Sequence, residues 1–359
     1  MTDAAPVTND LEDLPLLSAY QQWQQGEGVP IHEGTYLESL ATLEVGPWER
    51  VGQRGALITL AEQEKDDGQL IEIEPGGQSK VLHHLYEALV FVAEGRGATT
   101  FWQPGTEKQT VEWRRGSLFS PPINCYYQHF NLDGEASARL FAVTSAPLTI
   151  NLFHNDRFVF ENDFVFDDRY GGADDFFSDE GRKLARRVLK TNFVPDVRTF
   201  PLQDWQARGA GGKNIVFALS SNTMASHVSE FPVGTYKKGH RHGAGAHVII
   251  VGGDGYSLLW FEGDEEKRRV DWRDGCVLSP ADNEFHQHFN TGTTPARYLA
   301  LRWNSPEFPP RGFNRNVFHQ GPEQIPYEEQ DSDIHELFAA ECARREVEVR
   351  LELPTRGDS

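Results

Sequence analysis

Four histidines in two short runs carry the most distinctive chemistry available to this chain. His240 and His242 stand two residues apart in GHRH, and His286 and His288 two apart in FHQH. Residues i and i+2 of a strand project from the same face, so each run presents two imidazoles in one direction. A facing strand that carries His286 can close a set of three imidazoles, His240, His242 and His286, around one ion. Neutral imidazole suits Fe, Mn, Zn, Cu or Ni, and three protein ligands leave coordination positions for a substrate and O2. Glu284, His286 and His288 alternate along one face, which offers His288 as a proton-handling group near neutral pH or as a support for the ligands. Lys238 and Arg302 are candidates for holding a substrate carboxylate. Tyr236, Trp260 and Phe285 are candidates for pocket walls, although aromatic residues of this kind serve more often as core.

The elements that must position these groups are legible because the chain resembles itself. GGQSKVLHHLYEALVFVAEGRGATTFW from Gly76 matches GTYKKGHRHGAGAHVIIVGGDGYSLLW from Gly234, and VEWRRGSLFSPPINCYYQHFN from Val111 matches VDWRDGCVLSPADNEFHQHFN from Val270. A tandem duplication follows. Within each copy, short apolar runs such as Leu89–Ala93 and Val248–Val251 stop at glycine turns, 94–97 and 252–255, which is strand-and-hairpin patterning. Many short strands with Gly/Pro turns predict a closed barrel or jelly roll in each half. Lys80 repeats Lys238 in the copy poorer in histidine, which favours a structural reading for Lys238, while His129 at the place of His288 sets a structural histidine beside the proton-handling one as equal readings.

Between the copies, 151–177 holds seven phenylalanines among Asp and Asn. This segment is expected to pack on a barrel or on a second subunit. Ser178 reads as the N-cap of a short helix running to about Leu189, and 331–345 as a second helix with Ile334, Leu337, Phe338 and Cys342 on one face. Residues up to about Pro30 read as a lead plus one amphipathic helix. The resulting division is an N-terminal arm (1–45), a first barrel (46–150), a linker with helix (151–205), a second barrel (206–308) and a tail with helix (309–359).

The repeated blocks resemble the paired motifs of the cupin superfamily, G-x5-H-x-H-x3,4-E-x6-G followed by G-x5-P-x-G-x2-H-x3-N. The resemblance covers both halves and implies an all-β chain of two tandem double-stranded β-helix barrels with a few peripheral helices, a bicupin. In such barrels the two histidines, the glutamate and the last histidine hold a metal. The second copy supplies His240, His242 and His286, with Asn290 closing the motif, but the glutamate is missing. Counting back from Gly253 places Ala246 there, and counting from His242 places His247, which would make a fourth histidine ligand. Neighbours on a strand face opposite ways, and the glycine register favours Ala246 inward. The proline of the second motif also sits one residue early, at Pro280.

HRH with alanine for glutamate, then aromatic-His-x-His, is similar to the gentisate-type ring-cleaving dioxygenases. That resemblance implies Fe(II) on three histidines, with His288 as an extra active-site histidine. In that family the metal barrel is the N-terminal one, whereas here it is the C-terminal one. The first copy has Leu82 and Tyr127 in place of the first and last histidines and retains His84, with Glu87 and His129 nearby, so it reads as structural or dimer-building. The expectation is one divalent transition metal, Fe(II) first with Mn, Zn, Ni or Cu as alternatives. The expected activity is a dioxygenase for a small aromatic or enolisable substrate. The alternatives are a non-oxidative lyase, isomerase or hydrolase, and a non-catalytic ligand-binding bicupin.

A net charge of −20 (34 basic against 54 acidic residues) opposes nucleic acid or an anionic membrane as partner. Three scattered cysteines do not form a disulfide framework. The start of the chain has no basic region followed by an apolar stretch, and no apolar run approaches the ~18 residues of a membrane span. A cytoplasmic protein that forms a dimer or larger homo-oligomer and acts on a small molecule is expected.

Overall fold

The computed structural model describes residues 16–61, 64–243, 246–303, 305–308 and 323–351. Each copy forms a large and a small sheet facing one another. In the first copy the large sheet runs Gln53–Leu60, Asp67–Ile73, Ala138–Thr144, Ala88–Glu94, Leu118–Phe119. The second copy repeats that order with Lys213–Ala218, Met224–Phe231, Ala296–Trp303, Ala246–Gly252, Val277–Leu278. The small sheets pair Arg96–Trp102 between Gln109–Arg114 and Tyr126–Asn131, and Asp254–Trp260 between Arg268–Arg273 and Phe285–Asn290. Each copy is thus the double-sheet barrel that its short, turn-bounded strands implied.

The register shows why two matched glycines recur. A Cβ on Gly97 would sit 2.1 Å from the Phe130 carbonyl oxygen, and one on Gly255 would sit 2.0 Å from that of Phe289. The indoles of Trp113 and Trp272 close on the same two points. Only a residue without a side chain lets strand and ring approach this closely.

The two barrels share a core. Ile58, Leu70, Leu89, Phe91 and Phe141 of the first large sheet belong to one apolar cluster with Phe217, Val228, Ile249 and Leu299 of the second. Strands also cross between the halves. Tyr36–Leu37, from the N-terminal arm, pairs with Val277–Leu278 of the second barrel, and Phe193–Val194, from the linker, pairs with Leu118–Phe119 of the first. Polar bonds flank the apolar layer. The Glu87 carboxylate accepts from the backbone N–H of Thr223 and Met224 and from Arg169.

The N-terminal helix forms at Ala19–Gly26, capped by Ser18, and the C-terminal one at Ser332–Arg344. Ile334, Phe338 and Cys342 of the latter are buried, whereas Leu337 lies at the edge, 37% exposed. The helix expected from Ser178 to Leu189 is instead a hairpin, Arg182–Ala185 with Val188–Lys190. Its second strand pairs parallel to Lys213–Ala218, and Leu189 enters the shared core. An open sheet edge supplies hydrogen bonds and burial that outweigh a weak local helix preference. The phenylalanine-rich stretch precedes this hairpin; it takes in the end of one short helix, Ala146–Phe153, and the whole of another, Asp156–Phe160. It packs on the first barrel, with Phe177 stacked on Phe101 at 4.4 Å, while Phe164 stays 60% exposed. Among the described residues no helix is long and apolar enough to cross a membrane, and all three cysteines are unpaired and buried.

Candidate metal centre

His240 opens a two-residue strand that pairs in register with His286 of Phe285–Asn290. That pairing and the i, i+2 spacing bring three rings together. Centroid separations are 4.2 Å for His240–His286, 5.0 Å for His242–His286 and 5.9 Å for His240–His242. One nitrogen of each ring lies within 4.8 Å of the others, and among the described residues this is the one group of three so arranged. Small ring rotations close that spread onto an ion at about 2.1 Å.

The backbone sets the ring tautomers. His240 Nδ1 lies 3.1 Å from the Lys238 carbonyl oxygen and His286 Nδ1 3.0 Å from that of Glu284. A carbonyl only accepts, so both Nδ1 atoms carry the proton and both Nε2 atoms keep a free lone pair. His240 Nε2 and His242 Nδ1 are buried without a hydrogen-bond partner, as expected of atoms placed for a metal rather than for the fold. Burial keeps the rings uncharged. It pushes His286 down to about 4, helped by Arg208 and Lys237, and holds His240 and His242 well below the usual histidine range. Neutral imidazole is the form a metal needs.

Strand alternation decides the missing-glutamate position. Ala246 points into the second barrel among Val248, Ile250 and Tyr298. His247 points the other way, fully buried between the barrels with Nδ1 3.4 Å from Asp66 Oδ1, and so does not join the ligand set.

His288 sits beside the cluster, its ring 5.6 Å from His286. The Trp272 indole N–H donates to Ser257 Oγ, whose hydroxyl donates in turn to His288 Nδ1 at 2.8 Å, leaving the ring proton on Nε2. The first barrel repeats this arrangement with Trp113, Thr99 and His129. The relay therefore belongs to the barrel architecture, and its Nε2–H is a donor wherever a substrate lies nearby.

The remaining sequence candidates separate. Arg302 lies opposite Ala246 on the inward face and is partly buried, its guanidinium pushed down to about 10 by desolvation and by Arg208. Lys238 is half-buried over the Tyr327 ring and does not face the histidines. Tyr236, Trp260 and Phe285 are core under the C-terminal helix, on the opposite face of the small sheet from His286 and His288. An even residue on Asp254–Trp260 faces outward just as an odd one does on Phe285–Asn290, which the aromatic types alone did not reveal.

Three groups that sequence reasoning missed complete the chamber. Lys237, not Lys238, turns inward, and its Nζ donates to the Tyr298 hydroxyl at 2.8 Å. The Arg208 guanidinium is buried nearby and couples electrostatically to Tyr298. Burial alone would raise the Tyr298 phenol, but Lys237 and Arg208 outweigh it and bring it to about 8. The Tyr298 ring lies 5.3 Å from His288 and 6.0 Å from His227.

Superposing the strand registers of the two copies shows what stands at equivalent places in the first barrel. The strand registers Ile73↔Ala138 and Phe231↔Ala296 align Leu140 with Tyr298 and Thr144 with Arg302. The Lys80 N–H bonds the Val51 carbonyl as the Lys238 N–H bonds that of Arg208, and Leu82 pairs with Tyr127 as His240 pairs with His286. Charged or imidazole groups of the second barrel thus stand where the first has apolar or uncharged ones.

No family model matches the chain, and no curated protein is similar to it in sequence. Solved structures do match in fold. Oxalate decarboxylase from Lactobacillus farciminis, in its formate complex, is 14% identical, with a TM-score of 0.51 over 75% of this chain and 86% of that one. A Bacillus subtilis oxalate decarboxylase variant is 15% identical, with a TM-score of 0.51 over 84% and 83%. A Bacillus subtilis oxalate decarboxylase studied for its Mn(II) centres is 16% identical, with a TM-score of 0.50 over 85% and 86%. The architecture of this chain is that of a bicupin. At such identities the likeness is one of fold, and it does not extend to the gentisate-type character of the site.

Proposed function

We propose that the C-terminal barrel is a metal-dependent active site for a small oxyanionic substrate, and that its reaction is an Fe(II)-dependent oxygenation of an aromatic or enolisable compound. The observation that carries this reading is the make-up of the chamber, three uncharged imidazoles without a carboxylate among them, facing Arg208, Lys237 and Arg302. An ion held only by neutral ligands keeps its full charge, and three cations, the buried Arg208 and Lys237 and the partly buried Arg302, add to it, so a phenolate, enolate or carboxylate is favoured there. Iron bound at such a site would offer adjacent positions to a substrate oxygen and to O2. Arg208 and Arg302 would orient the anion, since a guanidinium matches an oxyanion in two-point geometry. The Lys237–Tyr298 pair would accept or return the substrate proton, with His288 Nε2–H donating alongside.

The test is substrate-dependent O2 uptake by protein loaded anaerobically with Fe(II), across catechols, hydroxybenzoates and β-diketones. Uptake that disappears in His286→Ala is expected. Turnover at the same rate without oxygen would instead establish a second reading, a non-oxidative lyase or isomerase using Mn or Zn as Lewis acid. Tyr298 favours that reading, because a phenol near neutral pH suits proton transfer more than oxygen insertion. A protein that holds no stoichiometric metal would leave a non-catalytic ligand-binding barrel.

A further inference from the structure

The first barrel is open where its metal ligands have gone. A cavity of about 270 Å³ remains, walled by Trp48, Ile71, Leu82, Tyr86, Tyr127 and Phe160. Its mouth lies at Val81, 47% exposed, and at Glu161. A cavity of about 150 Å³ lined by apolar side chains already takes up benzene, so this one has room for a fused two-ring molecule.

The polar groups of the cavity are arranged against a metal and against charge. His84 Nδ1 lies 2.9 Å from the Tyr86 carbonyl oxygen, so it bears the proton. His84 Nε2 then accepts from the Tyr127 hydroxyl at 2.7 Å. Tyr127 stands where the other barrel has His286, and its bond occupies the lone pair that a metal would use. The Tyr127 oxygen keeps an acceptor lone pair of its own. Arg50, at the rim, forks onto the Glu27 carboxylate and lies 3.9 Å above the Phe160 ring. Burial holds His84 uncharged, at about 3, and Tyr127 protonated, so this hydrogen-bonded pair carries no charge near pH 7.

We propose that the N-terminal barrel is a second binding site, for an uncharged one-ring or fused two-ring aromatic molecule that donates an N–H or O–H to Tyr127. The two copies thereby divide the ligand classes between them, anions in the metal barrel and neutral aromatic donors in the metal-free one. The proposal stands whatever reaction the second barrel performs.

Indole and 4-bromophenol are the probes, followed by saturation-transfer NMR on the full chain, with benzoate as the anionic control. Saturable indole binding is expected in wild type and, unchanged, in His286→Ala. It is expected to weaken at least tenfold in Leu82→Trp, which fills the cavity, and severalfold in Tyr127→Phe. Should Leu82→Trp not fold, the anomalous signal of bromine in a 4-bromophenol-soaked crystal locates the site directly, and a peak between Tyr127 and Phe160 is expected. Absence of saturable binding, loss of binding in His286→Ala, retention in a folded Leu82→Trp, or a bromine peak elsewhere would each overturn the proposal.

Discussion

At the scale of single residues, the chemistry depends on which groups are kept neutral and which are not. Tyr298 is the one phenol brought toward neutrality among tyrosines such as Tyr86, Tyr127 and Tyr256, which burial moves above the usual range. In the metal-free protein one tyrosinate is therefore expected to form near pH 8, read by ultraviolet difference absorbance. It should vanish in Tyr298→Phe and move upward in Lys237→Met, because the ammonium that stabilises the phenolate is gone. His129 shows the opposite behaviour. Burial lowers it from 6.5 to about 3, so between those values the unfolded chain binds a proton that the folded chain refuses. Its contribution to stability is thus whole above pH 6.5 and is lost on acidification toward pH 3. His129→Gln should flatten the stability–pH slope in that window by about 1.4 kcal/mol per pH unit, measured by urea unfolding at stepped pH.

At the scale of elements, the site depends on strands that approach more closely than ordinary side chains allow. Gly255 faces the Phe289 carbonyl oxygen on Phe285–Asn290, the strand that carries His286 and His288. Gly255→Ala should cost at least ~2 kcal/mol in denaturant unfolding, because the strand pair must separate or the Trp272 ring must move. Gly134→Ala, where an added Cβ meets nothing within 4 Å, should stay within about 0.5 kcal/mol of wild type. A parallel loss of metal affinity in Gly255→Ala would tie the register to the ligand geometry. The hairpin 182–190 makes the complementary point. Its residues are compatible with a helix, and the sheet edge provided by Lys213–Ala218 of the second barrel decided otherwise.

At the scale of the whole molecule, the two barrels form one cooperative body. Apolar side chains of both large sheets share a cluster, strands cross in both directions, and the Glu87 carboxylate joins the halves through buried backbone N–H groups. One unfolding transition, coincident by fluorescence and circular dichroism, is expected. Glu87→Ala strands two N–H donors and removes the carboxylate that pairs with Arg169, and should lower stability by about 3–5 kcal/mol while leaving a single transition. Two separate transitions in wild type would show that the shared layer does not couple the barrels.

Much of this was present in the order of residues. Duplication, β patterning, the convergence of His240, His242 and His286 and the inward turn of Ala246 follow from repeat and periodicity, because a strand alternates faces whatever surrounds it. The displaced glutamate likewise left a position whose occupant could be read by counting. Which of Lys237 and Lys238 turns inward could not be read this way, nor could the entry of Arg208, the approach of Tyr298 or the outward turn of Trp260. Lys237 and Lys238 lie in a loop, where no period sets direction, and Arg208 belongs to a short turn preceding its strand. Tyr298 and Trp260 do lie on strands, yet which face counts as interior is settled only when two sheets close and a distant helix covers one of them. The charge of the chamber is therefore a tertiary property. It arises from groups far apart along a chain of net charge −20, gathered where water is excluded.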